Sequence, residues 1–480
     1  MRETERRRLP GNRVVRRRVD ATQVIDLPRL PGKRIAPDTR THAKRFLLAF
    51  TVIVLLGTIL LSLPWTTESG TATSPVDAFF TAVSASAVTG LVVVDTQDHW
   101  NFAGELVILV LIQAGGLGFM VGASLVLATL RQSQSLRGAL LLQDGAPTLS
   151  LQEATTLSRH ILRYILVVEA IGVLVLLPQR LREEAFGPAL WRSVFTSISA
   201  FCNAGFDLEG NFVSLAGYSD SPYTSLAVMV LIQAGALSYL VVSDVWSKRR
   251  WDPLLLDVKL VITANAFLLA SGAVIFLALE WQQSMTQLAT ADRFVAAAFQ
   301  STTMRTAGFA TVSFGEVHPA TLFLTIAVML VGGASGSTAG GIKLATFAVI
   351  AIAVLSTVRG SSEPQAFRRR IPIDLVFRAM AVVTLFVTAH FLLTLALAVT
   401  EDVMANKEFG FLPIMFETMS AMATVGLSTG ITPELSTAGK LVVCLAMFIG
   451  RMGPLTAVYA LQRRQRPIRY RYPETPIRIG

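Results

Sequence analysis

Four short segments repeat along the chain, and each joins hydroxyl side chains to a glycine. They read FFTAVSASAVTGL, VFTSISAFCNAGF, AFQSTTMRTAGF and MFETMSAMATVGL, with glycines at Gly90, Gly205, Gly308 and Gly426. Glycine permits a positive φ and a close approach of backbones, so each segment can turn and present its carbonyl oxygens. Carbonyl oxygens can replace the hydration shell of a monovalent cation, and four such turns around one axis would form a cation filter.

The sequence around the segments repeats as well. The stretch LVILVLIQAGGLGF follows the first segment and LAVMVLIQAGALSY follows the second, while VMLVGGASG and LAMFIGRMG occupy the matching places after the third and fourth. Each repeat therefore predicts a long apolar helix, a short amphipathic helix that ends in the segment, and a second long helix. A short helix between two spanning helices must enter the membrane and turn back, which is tolerated where the backbone is buried or lines a water-filled path.

The composition is that of a membrane protein. Apolar residues make up 52% of the 480 residues and charged residues only 15%, against roughly 25% in soluble domains. Several apolar runs approach the ~20 residues that cross a bilayer. First helices are expected near 44–64, 157–178, 256–280 and 374–400, and second helices near 104–130, 223–246, 318–357 and 437–461.

The predicted fold is an all-α membrane protein with eight transmembrane helices and four re-entrant pore loops, in four pseudo-symmetric helix–pore–helix units around one central pore. The predicted boundaries are a basic cytoplasmic tail at 1–43, unit 1 at 44–131, unit 2 at 132–250, unit 3 at 251–359, unit 4 at 360–463 and a cytoplasmic tail at 464–480.

The charges predict the orientation. Residues 1–46 hold 14 Lys and Arg against 5 acids, and the segments that join the units carry further cations, such as Lys248 to Arg250 and Arg368 to Arg370. The stretches after the first three glycines hold acids and no Lys or Arg. By the positive-inside bias, both termini should be cytoplasmic in a multi-pass protein of the cell membrane. The basic tail then indicates a cytoplasmic flank rather than a nucleic-acid partner.

The segments VTGLVVVDT, FCNAGF, RTAGF and TVGLSTG resemble those of the Trk/Ktr/HKT superfamily of potassium transporters, most closely the bacterial Ktr-type membrane subunits. The resemblance covers roughly residues 44–465. It implies K⁺ uptake through a selectivity filter formed by the following residues: Ala87, Val88, Thr89, Gly90, Cys202, Asn203, Ala204, Gly205, Arg305, Thr306, Ala307, Gly308, Ala423, Thr424, Val425 and Gly426. Val88, Asn203, Thr306 and Thr424 share one ring position, and such a ring should select less sharply than four identical loops. Arg305 is expected to point behind the filter, with Glu417 as a candidate partner.

The stretch GGASGSTAGGIK, at 332–343, interrupts the second helix of the third unit, because so many glycines cannot sustain a helix cheaply. The resemblance makes it an intramembrane gating loop, whose candidate residues are Gly332, Gly333, Ser335, Gly336, Gly340, Gly341 and Lys343. Arg451 stands where other units have a small residue, and intramembrane charges are functional by default. It could oppose K⁺ in the pore, tie the loop by its carbonyls, or do both.

The resemblance also implies partners. Ktr-type subunits form homodimers on a KtrA-like ring of cytosolic, nucleotide-binding regulatory subunits, within membrane lipid. The nucleotide is expected on that ring, because this chain has no GxxxxGK[ST] loop. K⁺ is the expected transported ion, and Na⁺ is a possible activator or co-ion. Neither CxxC spacing nor a His/Cys cluster supports a metal site.

Parts of the sequence are also compatible with two other classes of protein. The letters GASG, with Ser335, are similar to the nucleophile motif of rhomboid intramembrane serine proteases, and His390 could accept the serine proton. That alternative leaves the four-fold repeat unexplained. The second alternative is a secondary transporter with broken helices. Such transporters usually contain two internal repeats, whereas this chain has four. The expected protein is therefore a transporter and not an enzyme.

Overall fold

A computed structural model describes residues 39–134, 151–361, 363–407 and 409–462. The predicted tails at 1–43 and 464–480 lie outside these ranges except for residues 39–43. The described chain is predominantly helical. Its α-helices are α1 (Thr39–Leu61), α2 (Pro75–Ala87), α3 (Thr96–His99), α4 (Phe102–Gln134), α5 (Leu151–Arg180), α6 (Phe186–Cys202), α7 (Pro222–Ala236), α8 (Tyr239–Lys248), α9 (Leu256–Glu280), α10 (Thr290–Thr303), α11 (Pro319–Met329), α12 (Leu344–Val358), α13 (Ile373–Ala398), α14 (Phe411–Ala423) and α15 (Thr437–Gln462).

Short elements connect these helices. Three 3₁₀ turns occur at Pro64–Thr66, Ala216–Tyr218 and Thr432–Glu434, and a π-helical turn at Val399–Met404 extends α13. Two strands, β1 (Gln365–Ala366) and β2 (Arg369–Arg370), pair antiparallel in a hairpin after α12.

Several helices are suited to a bilayer. Within the described ranges, four apolar stretches are long enough to span it, namely Phe102–Gly122, Thr155–Arg180, Leu256–Glu280 and Ile373–Met404. The pair α7 and α8 would add a fifth if counted as one span, although the two are bent by 95°. Shorter apolar helices occupy Leu47–Leu61, Pro319–Met329 and Leu344–Val358. The full count of eight spans stays a prediction.

The four short helices that carry the repeated segments are packed in the order of the chain. Each of α2, α6, α10 and α14 packs against a long helix of its own repeat. The helix that follows each one then contacts the next short helix: α4 contacts α6, α7 contacts α10, α11 contacts α14, and α15 returns to α2. This succession closes a ring of four repeats.

The second repeat departs from the expected continuous helix over 223–246. The chain bends between α7 and α8, where Ser238 has φ of 65°. The carbonyls of Gly235 and Ala236 accept hydrogen bonds from Thr338 N and Ala334 N, at 3.3 and 2.8 Å, in the glycine-rich loop. These carbonyls therefore bond to the loop at the point where the helix axis turns. The nearly identical sequence in α4 continues as one helix.

Candidate functional site: four converging glycine turns and the loop beneath them

The four repeated glycines meet in one place. All have a positive φ, of 95° at Gly90, 73° at Gly205, 82° at Gly308 and 93° at Gly426. A Cβ atom on any of them would lie closer than 3.0 Å to backbone of the next segment: Gly90 faces Ala204 O, Gly205 faces Gly308 Cα, Gly308 faces Val425 O, and Gly426 faces Thr89 O. No side chain fits between these turns, and the contacts run around the ring in chain order.

The residues two positions before the glycines turn the chain out of the short helices. Val88, Asn203 and Thr424 cap α2, α6 and α14 with φ of 57°, 60° and 51°, and Thr306 follows α10 with φ of 76°. A left-handed conformation at a non-glycine residue is uncommon and costs energy. The four residues of the predicted ring position therefore share a positive φ although their side chains are not the same.

Hydroxyl groups hold these turns, a role that the sequence analysis did not assign. Ser84 Oγ accepts from Gly90 N at 3.2 Å and Ser420 Oγ accepts from Gly426 N at 3.1 Å. In the other two segments the hydroxyl donates instead, from Ser199 to Phe206 O and from Thr303 to Phe309 O, each at 2.6 Å. The sequence does carry a signal for this role, because a Ser or Thr lies six residues before each glycine, or five residues before it in the third segment.

Small residues in the second helices allow the short helices to approach. A Cβ atom on Gly115, Gly235 or Gly450 would collide with the carbonyl oxygen of Ser86, Phe201 or Met422, respectively, near the end of α2, α6 or α14. These glycines of the second helices thus make room for the ends of the short helices.

One cavity of about 590 Å³ opens on the side of the ring that follows the glycines. The four glycines line it, together with the acids Asp95, Asp207 and Glu434. The pKa of Asp207 is raised to about 7, mainly by burial; the carboxylates of Glu209 and Asp95 also raise it, while hydrogen bonds from Glu209 N and from Ser214 lower it. The cavity therefore carries negative charge that would concentrate cations at its mouth.

Arg305 and Glu417 are both buried but do not form the expected pair. Arg305 is 3% exposed, and its Nε and Nη1 have no hydrogen-bond partner among the described residues. Glu417 instead accepts from Ser428 Oγ at 2.6 Å, Thr429 N at 2.8 Å and Thr432 Oγ1 at 2.9 Å. This buried carboxylate fixes the chain that leaves the fourth segment.

The glycine-rich loop, 332–343, lies against the opposite side of the ring. A Cβ atom on Gly340 would collide with Thr424 Oγ1 and one on Gly332 would approach Thr306 Cγ2, and both contacts involve residues that precede the glycine turns. Thr338 Oγ1 donates to Phe201 O at 3.2 Å. The loop closes on itself through Gly332 N to Ile342 O, at 2.9 Å. Gly336 and Gly341 have positive φ, whereas Gly333 packs on Ala236 O.

Arg451 ties this loop to the first repeat. Its Nη1 donates to Thr338 O and its Nη2 donates to Gly115 O at 3.1 Å, and it is 1% exposed. Its guanidinium lies 4.4 Å from the centre of the Phe119 ring, and Lys343 Nζ lies 5.2 Å from the same ring. Lys343 also donates to Ala339 O. Of the predicted functions of Arg451, the contacts provide the tie to loop carbonyls.

The residues of the alternative protease site are not joined. Among the described residues no hydrogen bond links Ser335 with His390, and His390 Nδ1 is buried in α13 without a partner. Ser335 is half-buried in the loop. The arrangement lacks the nucleophile–base contact that a serine hydrolase needs.

The known proteins that this chain is similar to are cation or potassium transport proteins. Residues 33–465 match the family model described as TrkH, cation transport protein. The chain is 37% identical to the Ktr system potassium uptake protein B of Bacillus subtilis over 90% of its own length and 95% of that protein. It is 35% identical, with the same coverage, to the potassium/sodium uptake protein NtpJ of Enterococcus hirae. The crystal structure of the potassium transporter TrkH from Vibrio parahaemolyticus superposes with a TM-score of 0.67 and 19% identity, covering 88% of this chain and 85% of that one.

The chain belongs to the TrkH family of cation transport proteins. Its identity of 35–37% to Ktr-system and related uptake proteins, over nine tenths of its length, makes it a membrane subunit of the Ktr type.

Proposed function

We propose that this protein is the ion-translocating membrane subunit of a Ktr-type potassium uptake system. The observation that carries the proposal is the ring of four glycine turns, closed in chain order at the base of an acid-lined cavity. Its relatives are named potassium or potassium/sodium uptake proteins, which supports K⁺ as the transported ion. Na⁺ is compatible with these names as a co-ion or activator.

In this proposal K⁺ loses its water at the carbonyl oxygens of the four filter segments, 87–90, 202–205, 305–308 and 423–426. The hydroxyls of Ser84 and Ser420 support it, because they occupy the amide N–H of Gly90 and Gly426 and so restrain those peptides. The four short helices end at the ring, so their negative C-terminal dipole ends favour a cation there.

The glycine-rich loop is the gate in this proposal. It lies across the ring face opposite the cavity and contacts the second, third and fourth segments. Arg451 holds it closed by donating to Thr338 O, and the positive charges of Arg451 and Lys343 oppose a cation at that depth. Opening therefore requires the loop to move and Arg451 to change partners.

The chain crosses the cell membrane eight times with four pore loops between the crossings, and both termini are cytoplasmic. Positive charge on the connections between repeats supports this orientation. The subunit works as a homodimer on a cytosolic, KtrA-like regulatory ring that binds the nucleotide, and the ring moves the gate from the cytoplasmic side. The proposed function involves no catalytic step.

Growth of a K⁺-uptake-deficient bacterial strain on limiting K⁺ tests the proposal, with the chain expressed beside a Ktr-type regulatory partner. Gly308→Ser should weaken or abolish growth, because a side chain there collides with Val425 O. Gly70→Ser is the matched control, since Gly70 has φ of 68° but no atom within 4 Å of an added Cβ. Failure of the wild type in a strain that a known Ktr pair rescues would refute K⁺ uptake, and equal growth of the two variants would refute the filter.

A further inference from the structure

The bend in the second repeat creates a surface of aromatic and arginine side chains. Helix α8 turns 95° away from α7, so its axis lies across the direction of that helix. Trp246 on α8 is 73% exposed, and the guanidinium of Arg249 lies 5.5 Å from its ring centre. Arg250 follows and is exposed. A helix that runs across the neighbouring span, with an exposed Trp and basic residues at its end, has the properties of an element that lies in the membrane interface.

The β1–β2 hairpin completes the surface. Its turn residues Phe367 and Arg368 have positive φ, and the Phe367 ring centre lies 5.9 Å from that of Trp251. Lys259 Nζ lies 5.8 Å from the centre of each of these two rings and donates to Asp252 O at 3.0 Å. We call this surface the aromatic–arginine patch; it consists of Trp246, Arg249, Arg250, Trp251, Phe367, Arg368 and Arg369.

Within the described part of the chain, no acid neutralises the four arginines of the patch. The nearby acid Asp244 pairs with Lys248 at 2.7 Å and also accepts from Leu255 N, while Glu363 pairs with Arg370 at 2.8 Å. Among the described residues no ion pair reaches Arg249, Arg250, Arg368 or Arg369, and all four are exposed. The patch thus offers unpaired guanidinium groups next to exposed rings, which suits an anionic headgroup with an adjoining apolar chain.

The patch is joined to the glycine-rich loop by direct packing. Val241 of α8 is buried in one apolar cluster with Val331, Ala334 and Leu344, which belong to the loop and its flanks. The hairpin follows α12, the helix that begins where the loop ends. A ligand that holds α8 and the hairpin therefore restrains both sides of the loop.

We propose that the aromatic–arginine patch binds the headgroups of anionic phospholipids of the surrounding membrane. Its effect on the gate rests on the proposed function, whereas the binding itself does not. Lipid is favoured over a protein partner because the patch combines an interfacial helix, exposed tryptophans and excess positive charge. Bound anionic lipid stabilises the observed packing of α8 against the loop.

The full-length chain, purified in detergent, should show a larger rise in Tm with added phosphatidylglycerol than with phosphatidylcholine. Arg368→Gln with Arg369→Gln should abolish that difference, and Arg249→Gln with Arg250→Gln should do the same from the other half of the patch. Arg182→Gln is the control, because Arg182 is an exposed arginine just beyond the opposite end of a span. The control should retain the full preference for phosphatidylglycerol.

Equal Tm shifts with the two lipids in the wild type, or an unchanged lipid preference in both double variants, would overturn the proposal. So would variants that keep the lipid preference but lose activation by a regulatory ring, since the patch would then be a protein contact. A preserved lipid effect in a chain that fails to transport K⁺ would leave the lipid site standing and refute only the proposed function.

Discussion

Single hydroxyl and carboxylate groups set the geometry of the four glycine turns and of the chain that follows them. Ser84 and Ser420 accept from glycine amides, Ser199 and Thr303 donate to carbonyls beyond the glycines, and Glu417 receives bonds from three residues after the fourth segment. Each group is buried, so deleting one leaves its partner unsatisfied. The conformation of these turns thus depends on buried side chains several residues away from the glycines.

Ser420→Ala should lower the preference for K⁺ over Na⁺ and cost roughly 1–3 kcal/mol of stability, because Gly426 N–H would be buried without an acceptor. Isotope uptake into liposomes measures the preference, and thermal unfolding measures the stability. Ser271→Ala is the control, as Ser271 Oγ bonds only to carbonyls of its own helix. An ion preference that matches the control would contradict the role of Ser420.

At the scale of the elements, repeats with similar sequences differ where the glycine-rich loop contacts them. The loop bonds to carbonyls at the end of α7, and the chain bends there, whereas the corresponding stretch of α4 stays helical and supplies Gly115 O to Arg451. Arg451 therefore bridges the third and first repeats by donating to backbone carbonyls, and its guanidinium also packs on the Phe119 ring. The loop's position depends on these contacts as well as on its own glycines.

Arg451→Gln should raise transport in the absence of the regulatory partner, because the loop loses a charged donor. Loss of one hydrogen bond worth about 1.5 kcal/mol would shift a closed-to-open ratio about tenfold. The matched control is Arg293→Gln, which also removes an arginine bonded to carbonyls, those of Leu288, Trp281 and Thr286, at a loop away from the ring. Ion flux through liposomes without the partner is the measurement, and equal flux in both variants would count against the gate.

The positions of the short helices could be predicted from the sequence, and the contacts between them could not. The repeated segments predict α2, α6, α10 and α14 because an aromatic, a hydroxyl run and a glycine recur in register. The bend at Ser238 and the partners of Arg451 depend on backbone atoms roughly a hundred or more residues away, so no local pattern encodes them. The expected pair of Arg305 and Glu417 does not form for a different reason, because Glu417 accepts hydrogen bonds from Ser428, Thr429 and Thr432 of its own downstream segment.

At the scale of the whole molecule, the three acids of the cavity and the two basic residues beside the glycine-rich loop lie on different sides of the ring. Asp95, Asp207 and Glu434 line the cavity beyond the glycines, whereas Lys343 and Arg451 lie on the opposite face with the loop. The electric field along the axis therefore attracts a cation to one side and opposes it on the other. In the proposed function, this field favours the entry of a cation, and its passage requires the loop and Arg451 to rearrange.

Uptake at low K⁺ should become more efficient between pH 6 and pH 8. The pKa of Asp207 is raised to about 7, so the carboxyl is mostly neutral at the lower pH and ionised at the higher one, where it adds negative charge to the mouth. Asp207→Asn should flatten this part of the pH profile. Initial uptake rates at limiting K⁺ give the profile, and an Asn variant with the wild-type slope would contradict the role of Asp207.

The four glycine turns close into one ring although no two segments have the same sequence. A ring assembled from identical subunits must change in all four quarters whenever one residue mutates. Here the quarters are covalently fused, so each can vary alone, and the third has acquired a loop that the others lack. In the proposed function this one loop serves the whole ring, and substitutions can be introduced one quarter at a time to measure how far its symmetry can be broken.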